Sequence, residues 1–192
     1  METLTIAKKP ARIRKPRTKE AFLEWDQPAG KYKYEWVDGE LEKSDYMMKN
    51  TERGIVQRIQ RAFTLTKAYE KQGELFAETH VPVSETRVRI PDLSFFDSEQ
   101  IAASERGEFP IPAWAIELIS PNEVGFTIER KALEYLKAGV QVLWQIYPDI
   151  RMVQVRTSLR STQIHWEADE CTAAPALPDM KIKVNELFGP VG

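Results

Sequence analysis

Apolar positions recur along this chain at two spacings, and the switches between them outline its elements. The segment TKEAFLEWD (Thr18–Asp26) predicts a short helix capped by Thr18. KYKYEWVDGELEKS then predicts two short strands turning at Asp38-Gly39, a dipeptide that tolerates positive φ in tight hairpins. From Asn50 or Thr51 to about Gln72, Ile55, Ile59 and Phe63 keep helical spacing, and Gly73 stands where a C-cap is expected. GELFAETHVPVSET and TRVRIPDLSFFD read as extended segments, followed by a proline-containing loop through about Pro112 and a strand around Glu117. A helix near Thr127–Ala138 stops at Gly139, and VQVLWQIYP and IRMVQVRTS are two further strands turning at Pro148-Asp149. Strands and helices alternating in this way predict an α/β chain: a mixed sheet with helices on its faces, opened by an N-terminal β-hairpin.

Composition narrows what such a chain can be. Its 192 residues, 42% of them hydrophobic, can bury a substantial core, which predicts one domain over residues 18–192. No apolar run approaches the roughly 20 residues needed to span a bilayer, so a soluble, cytoplasmic protein is expected. The single Cys171 cannot form an internal disulfide, and His80 and His165 lack zinc-ligand spacing. No glycine-rich phosphate loop and no G-x-S-x-G elbow occurs, which argues against P-loop hydrolysis and a serine nucleophile at Ser120. The five tryptophans are expected in the core or at an interface. Residues 1–19 carry seven basic side chains against Glu2, a local charge of about +6, leaving about −8 on the rest. Residues 1–17 therefore read as a disordered basic tail or, alternatively, an arm on nucleic-acid phosphates.

Two acids stand out because their surroundings are apolar. Glu117 interrupts WAIELI, and Asp92 follows Pro91 and precedes Leu93. If those strands are neighbours, the two carboxylates share a small volume, where one proton or one cation must hold them together. A hard divalent ion such as Mg²⁺, which takes oxygen ligands, suits that demand. The plain alternative is two strand-edge acids paired with arginine or lysine. Lys131 falls about 60° from Ile128 on a helical wheel, at the border of the Ile128, Ala132, Tyr135, Leu136 stripe. Its ammonium can reach the acids or simply remain in solvent along that flank.

YEWVDGEL, RIPDLSFFD, AIELISPNE, ERKALEYLKAGVQVLWQIYP and LPDMKIKVNELF, in this order, resemble the Uma2 family, once called DUF820, within the PD-(D/E)XK nuclease superfamily. The resemblance spans about residues 18–188. It implies a restriction-endonuclease-like core, a central mixed sheet flanked by helices, with Asp92 and Glu117 as the two metal-binding acids and the Leu118 backbone carbonyl as a further ligand of Mg²⁺ or Mn²⁺. The superfamily's lysine would fall two positions after the second acid, where this chain has Ile119. The resemblance implies that the amine comes instead from the following helix, at Lys131. Glu52 matches the start of the first long helix and is a possible auxiliary ligand, or an acid favoured there by the helix dipole; Glu40 is a weaker candidate and a structural strand residue.

The implied activity is metal-dependent hydrolysis of nucleic-acid phosphodiesters, DNA being the expected substrate and a homodimer the expected assembly, with an apolar contact from the VQVLWQIYP–IRMVQVRTS hairpin or the N-terminal one. Because the body is acidic, duplex binding needs a local basic surface. Arg53, Arg58, Arg61, Lys67, Arg87 and Arg89 are its candidates, a solvated face being the alternative for all six. A nuclease fold kept as a silent binding or scaffold module, or a hydrolase of another phosphoester, are the other readings.

Overall fold

The computed structural model describes residues 15–28, 32–45 and 50–190. Most of the basic tail lies outside these residues. Helix α1 (Lys19–Leu23) starts where Thr18 accepts the Ala21 N–H and buries Phe22 against Trp25 and Trp36. Strands β1 (Tyr32–Val37) and β2 (Glu40–Asp45) form the expected hairpin, with Asp38 and Gly39 both at positive φ.

The long helix expected over residues 50–72 is instead two. Helix α2 (Asn50–Phe63) ends, and α3 (Lys67–Glu70) begins, because the Thr66 hydroxyl bonds back to the Phe63 carbonyl and accepts the Tyr69 N–H as a new N-cap. A threonine side chain that satisfies backbone groups locally competes with helix continuation. Gln72, not Gly73, takes the left-handed conformation after α3. Gly73 is needed for a different reason: a Cβ there would lie 2.8 Å from the Phe95 ring.

β3 (Glu74–Ala77), β4 (Val81–Ser84), β5 (Arg87–Arg89) and β6 (Leu93–Phe96) follow. Helix α4 (Ser98–Glu105) occupies part of the expected loop, held by an Asp97/Gln100 capping box. Then come β7 (Trp114–Leu118), α5 (Gly125–Ala138), β8 (Val142–Tyr147), a 3-10 turn at Pro148–Ile150, β9 (Met152–Ser158) and β10 (Ser161–His165). β11 (Glu170–Ala173) and β12 (Leu177–Lys183) form a ribbon, and α6 (Val184–Phe188) closes the described chain.

The central sheet runs β10-β9-β8-β7-β6-β3 and is mixed: β7 and β8 are parallel, joined by the α5 crossover, and the other pairs are antiparallel. Side-chain alternation divides its faces. Trp114, Ile116, Trp144 and Ile146 pack with Ile55 and Ile59 of α2 and Leu187 of α6, while Ala115 and Leu143 pack with Ala132 and Tyr135 of α5. A second sheet, β2-β1-β5-β4, lies across α5, where Val81 and Val83 join Ala132 and Tyr135. On its other face Trp36, Val88 and Ile90 cover Phe22. Helix α5 is therefore held between two sheets. The β8–β9 hairpin is interior to the sheet, with β7 on one side and β10 on the other. Trp36, Trp114 and Trp144 are core residues, whereas Trp166 is exposed. Among the described residues no helix is long and apolar enough to cross a membrane.

Gly73→Ala should destabilise the fold by about 1–3 kcal/mol, because the new methyl must displace the Phe95 ring. Urea unfolding would register the loss as a lower midpoint at unchanged m.

Candidate active site

Alternation along β7 puts Glu117 on the same side as Ala115, toward α5. The register that pairs Leu93 with Ile116 brings Asp92, one residue before β6, opposite Glu117. Pro91 has no N–H to extend the ladder there. The Asp92 carboxylate does so instead, its Oδ2 accepting the Leu118 N–H at 2.7 Å. Two acids of adjacent strands thus share one layer.

Helix α5 faces them. Tyr135 donates its hydroxyl hydrogen to Glu117 Oε1 at 2.6 Å. One turn earlier, the Lys131 ammonium lies 3.1 Å from a carboxylate oxygen, but that of Glu35 on β1. Glu35 also receives the Arg89 guanidinium at 2.9 Å and the Ile90 N–H at 3.0 Å. Lys33, two residues before Glu35 and on the same side of the strand, binds Asp92 Oδ1 at 2.9 Å. Three carboxylates and two ammoniums therefore meet between α5 and the two sheets, and Arg89, with no exposed surface, links them to Glu42 and Glu134.

The charges reflect this enclosure. Burial first, and then the neighbouring Asp92, push Glu117 up to about 7 against the pull of Lys131. Glu35 goes the other way: despite burial, Lys131, Arg89 and Lys33 hold it below the usual carboxylate range. Burial opposes the charge on Lys33, yet Asp92, Glu117 and Glu35 keep its ammonium protonated well past the ordinary lysine range. Lys131 is raised as well, by Glu117 and Glu35 against its burial. Burial and the adjacent Glu117 raise Tyr135, which stays a hydrogen-bond donor.

The comparisons with known proteins agree with this architecture. A crystal structure titled as a "putative nuclease belonging to DUF820" from Anabaena variabilis ATCC 29413 superposes with a TM-score of 0.73 at 24% identity, covering 90% of this chain and 98% of that one. That likeness establishes the fold. The model of the Uma2 family, described as "Putative restriction endonuclease", matches residues 19–185. This chain belongs to the Uma2 family. No curated protein matches it.

In this Uma2 protein Asp92, Glu117 and Lys131 are brought together, whereas Glu52 is buried with Ile55 and Ile59 on α2, on the other side of the central sheet. Glu40 is exposed beside the hairpin turn. The expected basic surface is reduced. Arg89 is wholly buried, Arg87 is paired with Asp38 and Glu134, and Arg58 donates to the Leu187 carbonyl at 3.4 Å. Arg53, Arg61 and Lys67 are exposed. Lys33, Glu35 and Tyr135 were not anticipated. In KYKYEWV the charged and aromatic residues alternate as in a strand with one wet face, and Tyr135 reads as part of an apolar stripe. The one available signal was that alternation puts the apolar Val37 on the same strand face as Lys33 and Glu35.

The donor set has the chemistry of a hard-cation site: carboxylate oxygens of Asp92 and Glu117, and the Leu118 carbonyl beside them on β7. Among the described residues no group of three acidic, histidine or cysteine side chains forms a ready-made protein cage. Mg²⁺ accepts such partial sites because it retains several waters.

Glu117→Gln should stabilise the metal-free protein. With a folded value of about 7 and an ordinary value of 4.5, the wild-type carboxyl loses its proton on unfolding. Stability is therefore undiminished below the ordinary value, falls as pH rises between the two values, and stays reduced above about 7. In chelator, the glutamine variant should be more stable than wild type near pH 8, with the gain vanishing toward about pH 4. Denaturant melts at both pH values measure it.

Proposed function

We propose that this protein is a metal-dependent endonuclease that hydrolyses nucleic-acid phosphodiester bonds, with DNA as substrate. Family membership and the nuclease-like fold support the reading. The observation that carries it is the meeting of Asp92 and Glu117 from adjacent strands, with Lys131 leaning in from α5. Asp92, Glu117 and the Leu118 carbonyl would hold Mg²⁺ or Mn²⁺, which when bound supplies Lewis acidity toward a phosphate oxygen. Glu35 restrains the Lys131 ammonium, so that its charge is already in place to offset the negative charge that grows on the scissile phosphate and to orient the attacking water. Tyr135 keeps the Glu117 carboxyl turned toward the shared layer. In this reading the protein acts in the cytoplasm, as a homodimer, and Glu52 is at most an auxiliary group.

A second reading keeps the fold as a silent binding module. The Lys33–Asp92 pair favours it, since the acids already have a counter-charge within the chain. Incubation with labelled single-stranded, duplex and branched DNA, and with RNA, in Mg²⁺, Mn²⁺ or chelator separates the two. Wild type should cleave only with a divalent ion, and Asp92→Asn and Glu117→Gln should lose about 10³-fold or more while remaining folded by circular dichroism. Equal cleavage by all three proteins would show a contaminant, and binding without cleavage in any ion would favour the module. Lys131→Met should lower kcat about 10²-fold while leaving metal uptake by calorimetry in place.

A further inference from the structure

We propose that Lys33 is an internal counter-cation that holds Asp92 in the metal-free protein and must release it when a divalent ion enters; this rests on the metal reading above. The two oxygens of Asp92 are held by unlike partners. Oδ2 accepts the Leu118 N–H at 2.7 Å, a donor built into the backbone of β7 that cannot withdraw without breaking the strand. Oδ1 accepts the Lys33 ammonium at 2.9 Å, and that ammonium rides on four rotatable side-chain bonds. Oδ1 is therefore the exchangeable position.

The surroundings make the exchange competitive. Lys33 is 8% exposed and Glu117 7%, so little water screens an ammonium from an arriving dication. The neighbouring Glu35 carboxylate is already engaged by Lys131, Arg89 and the Ile90 N–H, so it competes only weakly for Lys33. The Asp92 side chain retains 17% exposure, which leaves an approach from solvent on its side. Lys33 belongs to β1 of the small sheet, whereas Asp92 and Glu117 belong to the central one. Release of Asp92 thus loosens one tie between the sheets as the ion forms another. The displaced ammonium, still beside the site, becomes available to an anionic oxygen such as that of a phosphodiester.

A lysine with a purely structural role and a counter-cation behave differently on removal. Lys33→Met, Lys33→Arg, Asp92→Asn and wild type would be titrated with MgCl2 and MnCl2 by calorimetry and melted in chelator and in excess ion. Lys33→Met should bind the ion about tenfold or more tightly than wild type. It should also melt below wild type in chelator and recover that deficit in the ion, while Lys33→Arg follows wild type and Asp92→Asn does not bind. Equal or weaker binding by Lys33→Met, or a melting deficit the ion does not reduce, overturns the proposal while wild-type binding keeps the metal reading intact. If neither wild type nor Lys33→Met takes up either ion, the metal reading falls and the counter-cation with it. Should Lys33→Met not fold, Lys33→Gln supports the same comparison.

Discussion

Two carboxylates facing each other across neighbouring strands set the terms for the rest of this molecule. Asp92 and Glu117 share a layer from which water is largely excluded, and like charges so placed need positive charge nearby or a retained proton. The chain meets that need from two directions. Lys131 comes from the crossover helix that any parallel β7–β8 pair requires, and Lys33 from a hairpin belonging to a separate sheet. The small sheet is thus a polar wall that completes the layer begun by the central sheet, with α5 between them.

Such a layer is not a source of much stability in itself. Buried ion pairs regain in Coulomb attraction roughly what they lose in hydration, but removing one partner leaves an uncompensated charge and is strongly destabilising. Arg89 illustrates the point: it is fully enclosed and joins Glu35, Glu42 and Glu134, three acids from three elements. The network is better understood as fixing the position of α5 relative to both sheets. The raised Glu117 is the remaining electrostatic cost, concentrated where the proposed chemistry needs a carboxylate.

Much of this was legible because the informative residues break local patterns. Asp92 and Glu117 are acids within apolar strands, and Lys131 borders a buried helical stripe; each departure marked a member of the layer. Lys33 and Glu35 were hidden because they obey a pattern, alternating with tyrosine and tryptophan as residues of a solvated face do. Only the position of the second sheet turns that face inward, and period-two alternation carries no information about which face a partner covers. The break after Phe63 depends on a single hydroxyl at Thr66, against a hydrophobic spacing that continues across it. Helix α4 buries none of its residues, so it left no periodic trace and only the Asp97–Gln100 cap announced it.

The polar inner face of the first hairpin bears on how the chain is made. Glu35 emerges from a ribosome about a hundred residues before Lys131, its eventual partner from α5, and Lys33 well before Asp92, its partner from the central sheet. Until then, that side of the hairpin presents opposite charges instead of greasy side chains, and a nascent edge of this kind has little tendency to stick to other unfinished chains. The charge arrangement that is costly in the finished protein is, during synthesis, a safeguard against aggregation.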